Sequence, residues 1–301
     1  MISDNVPMHL VATARTGFLT TIKTVGLPWQ QVAMTLNMDA KSIDLVDLGA
    51  APMPVERKGP FTVQDFIEKT LTVRPRDWDI TVAISYNAVQ DDQTGGLLRR
   101  CRGAGSNFQR HINNRVFTVL NGGDDATHPY GACYDGQDFF DSDHVDKGAA
   151  YSTSQDNENA LALSIDNFET VWVAAQGFKD DQGEETNYNY DLIVSSPANY
   201  REAMNLIKNE WAYDTANREI NPYQGILKQP IVSPKLDATA WYLVASSEPI
   251  KPLIVCLRET PSLQSAWFDP ATGEGGMYYF KFYARYEVFY GDWRLAVQGN
   301  T

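Results

Sequence analysis

Apolar residues recur at every third or fourth position between residues 97 and 119, and this is the most regular pattern in the chain. The spacing places them on one side of a helix of about six turns. Gly103 and Gly105 lie inside the helix, where each glycine costs about 1 kcal/mol relative to alanine, so we expect a bend or a close backbone approach there. The apolar stripe consists of Leu97, Cys101, Ala104, Phe108, Ile112, Val116 and Val119.

A second pattern, with a period of two, covers residues 278–290. This alternation predicts a long strand with one buried face, and Lys281, Arg285 and Glu287 fall on the opposite, polar face. Residues 69–73 and 77–86 are also predicted to be strands, because they are rich in threonine, branched aliphatic and aromatic residues. The apolar positions of the long strand are Tyr278, Phe280, Phe282, Ala284, Tyr286, Val288 and Tyr290.

The remaining segments read as shorter helices and strands, so the pattern as a whole predicts an α+β fold. One or two helices are expected within residues 8–36, broken at residues 26–28, and Ser164 is the expected N-cap of a helix that ends at Gly177. A strand at 190–194 leads to a helix with Ser196 as its cap and Pro197 as its first residue. The buried stripe expected for that helix is Tyr200, Met204, Ile207 and Trp211. Further strands are predicted at residues 241–245, 253–257 and 293–297.

Composition narrows the class of protein. The chain has 301 residues, of which 43% are hydrophobic, so it can bury a core. A net charge of −13 is the wrong sign for a protein whose whole surface grips nucleic acid. Three separated cysteines without a CxxC pair indicate no disulfide framework and favour a reducing compartment. Neither a secretory signal nor an apolar run of about 18 residues is present, which predicts no membrane span.

The charge is very unevenly distributed. Residues 134–191 contain fourteen acidic residues and two lysines, whereas residues 93–120 contain five arginines and no acid. On the predicted long helix, these arginines could contact phosphates non-specifically, or they could form a solvated face or pair with carboxylates of a neighbouring subunit. The five are Arg99, Arg100, Arg102, Arg110 and Arg115.

Candidate chemistry is concentrated in residues 135–144. Carboxylates and an imidazole there could bind a divalent cation, or Asp141 could orient His144 as a general base, with His128 and Cys133 just upstream. The spacing matches no calcium loop or zinc-enzyme set, and no P-loop, HExxH, GxSxG or GxGxxG motif occurs in the chain. We therefore favour a structured loop in which aspartates cap turns and Tyr134, Phe139 and Phe140 hold the loop to the core. The candidate ligands are Asp135, Asp138, Asp141, Asp143 and His144.

The same loop, CYDGQDFFDSDH at residues 133–144, resembles the signature of the Mu-like phage major head subunit, the gpT family of tailed-phage capsid proteins. Shorter resemblances surround it at residues 48–54, 78–82, 190–197, 250–261 and 283–299, so the similarity extends over about residues 45–299. The signature positions are Cys133, Tyr134, Asp135, Gly136, Gln137, Phe139, Phe140, Asp141 and His144.

The resemblance implies a Hong Kong 97-type major capsid fold. Its parts would be an N-terminal arm at residues 1–42, an extended loop at 43–85, a peripheral domain with a long spine helix at 86–124 and 251–301, and an axial domain at 125–250. The function implied is self-assembly into an icosahedral shell around packaged double-stranded DNA, with no catalytic residue, cofactor or metal and no enzyme activity. The alternatives are a metal- or histidine-dependent hydrolase centred on Asp135–His144, and a phage tail or decoration component.

Partners follow from the same resemblance. The chain is expected to bind itself in hexamers and pentamers and to contact packaged DNA non-specifically, with the arginines of the long helix facing the interior. Scaffold, protease and portal would be separate proteins, since no long charged segment precedes the arm, and a decoration protein is compatible with the family. No membrane partner is expected. The implied location is the virion capsid, assembled in the bacterial host cytoplasm.

Overall fold

The helices and strands are taken from a computed structural model that describes residues 6–24, 27–40, 42–45, 71–92, 95–125, 132–145, 151–180, 183–211, 220–271 and 276–299. Its α-helices are α1 (Met8–Thr24), α2 (Tyr86–Gln90), α3 (Gly96–Asn121), α4 (Ile165–Gln176) and α5 (Tyr200–Lys208). Its strands are β1 (Ala33–Asn37), β2 (Ile43–Leu45), β3 (Leu71–Val73), β4 (Arg76–Ser85), β5 (Glu158–Asn159), β6 (Leu192–Ser195), β7 (Ile231–Val232), β8 (Trp241–Val244), β9 (Leu253–Asp269), β10 (Met277–Tyr290) and β11 (Ala296–Gly299). Short 3-10 helices occupy Pro28–Gln31 and Trp293–Leu295.

The long helix predicted from the apolar stripe is confirmed as α3. All seven stripe residues are buried, so the periodicity identified the packed face correctly. Asp92 caps the start of the helix, because its carboxylate oxygens accept hydrogen bonds from the backbone N–H groups of Gly96 and Leu97 at 2.8 and 3.1 Å. A carboxylate at this end also opposes the positive pole of the helix dipole.

Helix α1 crosses α3 at two glycines. A Cβ atom built on Gly105 would lie 2.7 Å from the backbone oxygen of Phe18, and one built on Gly17 would lie 2.7 Å from Leu98 Cδ1. The Leu98 side chain can move aside, but the backbone oxygen of Phe18 cannot, so the two helix backbones are in contact at Gly105. The expected close approach near residues 103–105 is therefore confirmed at Gly105. Gly103 faces open space, with no atom within 4 Å of a Cβ built on it.

The first sheet has four strands in the order β1-β9-β10-β4. Strand β1 runs parallel to β9, and the other neighbours are antiparallel. The alternation in β10 is confirmed, because all seven predicted apolar positions are buried. Phe282 of that face stacks on Phe18 of α1 with ring centroids 4.2 Å apart. The helices α1 and α3 thus cover one side of this sheet.

Strand β9 is much longer than the predicted segment 253–257. It continues to Asp269 because β10 pairs with it along nearly its whole length. The pairing contains register shifts, and Pro261 lies within the strand close to them. Proline and irregular pairing disturb a period of two, which is why the alternation did not reveal the second half of the strand.

The second sheet has five strands in the order β5-β11-β8-β6-β7. Its central strands β6 and β8 are buried along their whole length, consistent with their continuous apolar sequences. The last strand, β11, lies between β5 and β8. Residues 296–299 therefore belong to this sheet, although their range was assigned to the predicted peripheral domain.

Helices α4 and α5 pack against the second sheet. The hydroxyl of Ser164 accepts a hydrogen bond from the Asn167 backbone N–H and α4 ends at Gly177, as predicted. The prediction for α5 is wrong in its start and only partly right in its buried face. Residues 197–199 form a turn, and the helix begins at Tyr200. Its buried residues are Ala203, Leu206 and Ile207, of which Ile207 was predicted. Tyr200 is exposed, and Trp211 is exposed and lies beyond the end of the helix.

Residues assigned to the predicted arm and extended loop contribute to these packed layers. Phe18 of α1 is fully buried, and β1 forms an edge of the first sheet. In the predicted loop, β2 pairs with β3, and β4 pairs with β10. Residues 46–70 lie outside the described residues. Among the described helices, none combines the length and apolarity that crossing a membrane requires.

Candidate functional site

The candidate loop, residues 132–145, lies between the end of α3 and the second sheet. It begins with a tight turn, in which the Cys133 N–H donates to the Gln137 carbonyl at 2.7 Å. Gly136 has a φ of +89°, a left-handed conformation that favours glycine. The Asp135 carboxylate accepts a hydrogen bond from the Gln137 N–H at 3.1 Å. A second aspartate, Asp141, accepts one from the Asp143 N–H at 2.9 Å, so the prediction that aspartates cap turns here is confirmed.

His144 occupies the centre of the site and has no exposed surface. Its Nδ1 atom lies 2.6 Å from Asp135 Oδ2, and its Nε2 atom lies 3.2 Å from Asn157 Oδ1. The ring is stacked on Trp293 with centroids 4.1 Å apart and planes within 3°. The carboxylate that orients the imidazole is therefore Asp135. The prediction of Asp141 for that role is wrong, because its carboxylate caps the next turn of the loop.

Asn157 joins the loop to the end of the chain. Its Nδ2 atom lies 2.9 Å from the Phe139 carbonyl and 3.2 Å from each of the Trp293 and Ala296 carbonyls. Its Oδ1 atom also accepts a hydrogen bond from the Asp141 N–H at 3.0 Å. Sequence reasoning missed this residue, since a single asparagine in an irregular segment carries no periodic or motif signal.

Aromatic residues hold the loop to both sheets, as predicted. Phe139 stacks on Tyr290 at the end of β10, with ring centroids 4.7 Å apart. Phe140 packs against Tyr242 of β8 at 5.2 Å, and its N–H donates to the carbonyl of Gly123, just beyond α3. The loop thus binds three elements that are distant in sequence: α3, β8 and β10.

A buried ion pair lies under the start of the loop. Arg294 donates to the Tyr134 hydroxyl at 2.8 Å and to the Asp292 carboxylate at 3.3 Å, and its Nε donates to the Lys179 carbonyl at 2.9 Å. Burial, followed by the nearby Asp135 charge, raises the pKa of Cys133 well above its ordinary value. That thiol is therefore held protonated, and it contributes to packing rather than to nucleophilic chemistry.

The geometry leaves little room for catalysis at residues 135–144. A substrate could reach the imidazole of His144 only if Trp293 and the loop moved apart. No three histidine, cysteine, aspartate or glutamate side chains in the described ranges are arranged as a metal site. His128 lies outside the described residues. The arrangement is that of a structural junction, and the hydrolase interpretation has no geometric support.

The arginines of α3 fall into two groups. Arg99, Arg100, Arg102 and Arg110 are exposed. Arg115 differs, because its Nε and Nη2 atoms donate to the two carboxylate oxygens of Glu287 at 3.0 and 2.9 Å. Glu287 was predicted on the polar face of β10, yet it is only 1% exposed. Arg115 serves as the internal partner of that buried carboxylate and is removed from the predicted DNA-facing set.

Comparison with known proteins also indicates a structural protein and not an enzyme family. The family described as the Mu-like prophage major head subunit gpT matches residues 8–162, about half of the chain. The chain belongs to this family. A curated relative, the major capsid protein of Escherichia phage Mu, is 30% identical over 132 residues. That alignment covers 42% of this chain and 42% of the Mu protein, so the similarity to the Mu protein itself spans less than half of either chain.

Solved structures extend the similarity to nearly the whole chain. The procapsid of bacteriophage JBD30 matches 98% of this chain and 76% of its own, with a TM-score of 0.57 and 20% identity. The JBD30 capsid matches 77% of this chain and all of its own, with a TM-score of 0.55 and 18% identity. A virus-like particle from Pyrococcus furiosus matches 96% of this chain and 98% of its own, with a TM-score of 0.52 and 12% identity. At these identities the similarity establishes the fold, which is the Hong Kong 97-type capsid fold.

Proposed function

We propose that this chain is a major capsid protein whose copies assemble into a closed icosahedral shell around double-stranded DNA. The observation that carries the proposal is membership of the major head subunit family, together with a capsid fold that matches 98% of the chain. The contacts within the candidate loop also support the proposal. The side chains of Asp135, Asp141 and His144 form hydrogen bonds within the chain, as expected of a protein whose function depends on its shape and not on a reaction.

The architecture suits repeated contacts between identical copies. Strands β1 and β4 form the two edges of the first sheet, where backbone groups can pair with another chain. Identical subunits with head-to-tail contacts form closed rings when the rotation between them closes. Hexamers and pentamers of this chain are the rings we propose. The division into arm, extended loop, peripheral domain and axial domain stays a prediction.

Electron microscopy of the purified chain tests the proposal. Closed shells, or rings of five and six subunits, are the expected result. A strictly monomeric protein, at the concentrations and with the assembly partners that shell formation requires, would contradict it. So would a hydrolase activity that disappears in a His144→Ala variant with unchanged fold.

We further propose that exposed arginines of α3 face packaged DNA. Arg99, Arg100, Arg102 and Arg110 lie on the side of α3 that the rest of the chain leaves exposed, and guanidinium groups bind phosphates irrespective of base sequence. Weak contacts of this kind would neutralise part of the DNA charge without blocking its release.

A double variant, Arg102→Gln with Arg110→Gln, tests this role. Shells should still assemble. The retention of DNA in filled shells should depend less on salt concentration, since each lost phosphate contact reduces the slope of log affinity against log salt by about one. Arg201→Gln, an exposed arginine on α5, is the matched control and should change neither property. Loss of assembly in the double variant alone would show that these arginines contact neighbouring subunits instead.

The remaining partners are proposed from family membership alone. Separate scaffold, protease and portal proteins would direct assembly, and a decoration protein is compatible with the fold. Assembly would take place in the cytoplasm of a bacterial host, and the finished protein would reside in the virion. Coexpression of the chain with the neighbouring head genes of its phage, followed by analysis of the purified particles, would identify these partners.

A further inference from the structure

Three polar side chains form a row across the second sheet where it meets the end of α3. Gln298 of β11 is in register with Glu158 of β5 on one side and with Tyr242 of β8 on the other. Residues in register on adjacent strands project from the same face of a sheet. Asp124, three residues beyond α3, lies over this row, because the Gln298 amide Nε2 donates to its carboxylate at 3.2 Å. We call Glu158, Gln298, Tyr242 and Asp124 the polar row.

Two atoms of the polar row are buried without a hydrogen-bond partner. Gln298 is 1% exposed, and its Oε1 atom has no partner although its Nε2 atom does. The hydroxyl of Tyr242 is also buried and unpartnered. A buried polar atom left without a partner costs about 1–3 kcal/mol, so two such atoms in one row indicate that something with polar contacts belongs between them.

The charges around the polar row indicate which kind of ligand these two atoms would bind. Besides Asp124 and Glu158, the carboxylate of Asp156 lies next to the row, because it accepts a hydrogen bond from the Glu158 backbone N–H at 2.8 Å. The carbonyl end of α3, the negative pole of its dipole, points into the same region, and the last turn of α3 carries no basic residue. Carboxylates thus crowd the negative end of a 26-residue helix. An anion would be repelled there, and an apolar group would leave the polar atoms without hydrogen bonds. A cation would be stabilised.

We infer that Asp124, Glu158 and the Oε1 atom of Gln298 form a binding site for a hard divalent cation, of which calcium is the best match. Two carboxylates and an amide oxygen are typical calcium ligands, and calcium tolerates irregular geometry with water in the remaining positions, whereas magnesium demands a near-ideal octahedron. The Tyr242 hydroxyl could donate a hydrogen bond to one of those waters. Asp124 and Glu158 are exposed, so the ion could enter from solvent. Once bound, it would connect the end of α3 to strands β5 and β11.

Terbium luminescence tests the site in the full-length chain. Terbium occupies calcium sites and is excited through nearby tyrosines, and Tyr242 lies in the row. We expect saturable luminescence with one terbium per chain, displaced by calcium. Calcium at about 5 mM should raise the melting temperature by about 3 °C or more, whereas sodium chloride at matched ionic strength should not.

Conservative variants separate the site from general charge. Asp124→Asn and Glu158→Gln, two surface substitutions that keep the side-chain shape, should each weaken terbium and calcium binding at least tenfold. Glu210→Gln, an exposed glutamate outside the row, should leave binding unchanged. No saturable binding, or equal affinity in all three variants, would overturn the site and would leave an ordered water as the partner of Gln298 and Tyr242. These outcomes do not depend on shell assembly, so they can fail while the proposed function holds.

Discussion

Replacing Glu287 with alanine should destabilise the subunit strongly, although sequence analysis places this residue on a polar face. The Glu287 side chain is 2% exposed, and both of its oxygens accept hydrogen bonds from Arg115, whose own side chain is 16% exposed. Arg76 contacts the same carboxylate at 3.3 Å but is 49% exposed. The alanine variant therefore removes the buried carboxylate that the Nε and Nη2 atoms of Arg115 bind.

The expected losses of stability follow from the different exposure of Arg115 and Arg76. Removing one member of a buried ion pair costs about 3–5 kcal/mol, and the partial exposure of Arg115 favours the lower end of this range. Arg76→Ala should cost less than about 1 kcal/mol, because solvent screens a pair that is half exposed. A double variant, Arg115→Met with Glu287→Leu, removes both charges and fills the space with apolar atoms. We expect it to lie within about 1 kcal/mol of the unchanged protein.

Equilibrium urea unfolding of the unassembled chain, followed by tryptophan fluorescence, measures all three variants. The ordering expected for the loss of stability is Glu287→Ala first, with Arg76→Ala and the double variant close to the unchanged protein. If Glu287→Ala cost no more than Arg76→Ala, the carboxylate would not be buried as described. If the double variant were as unstable as Glu287→Ala, the penalty would come from packing and not from an uncompensated charge.

Three further predictions concern the helix crossing, the loop and the cysteines. Gly105→Ala should lower the free energy of unfolding by about 1–3 kcal/mol, because its Cβ would meet the α1 backbone, whereas Gly103→Ala should raise it by about 1 kcal/mol; thermal melts of the two variants decide this. His144→Ala should lower the free energy of unfolding by about 3 kcal/mol, because the stack on Trp293 and the hydrogen bonds of the imidazole are lost. Asp141→Asn should lower it by less than about 1 kcal/mol, since an amide oxygen can still cap the turn. Equal losses in the two variants would indicate that Asp141 is the partner of the histidine. Burial raises the pKa of Cys101 from 9.0 to about 11, so the thiol should resist alkylation at neutral pH, and its contribution to stability should be complete below pH 9.0 and lost as the pH rises towards 11, which pH-dependent unfolding would detect.

Local elements with strict periodicity were predictable from sequence. The stripe of α3 and the alternation of β10 identified their buried faces residue by residue, because backbone geometry alone decides which positions share a face. The helix cap at Ser164 was found for the same reason, since a cap acts within one turn. The start of α5 was misplaced because proline after a serine fits a turn as well as a first helical turn.

Contacts between distant segments were decided only by the tertiary structure. Arg115 and Glu287 are 172 residues apart, and neither carries a local signal that it faces the other. The placement of β11 between β5 and β8, and the use of Asn157 to join the loop to the end of the chain, likewise depend on which elements pack together. By itself, the sequence determined the apolar faces of α3 and β10, the cap at Ser164, the uneven charge and the family resemblance. Which charges neutralise one another was settled by packing, because a buried carboxylate is tolerated only where the fold supplies its partner.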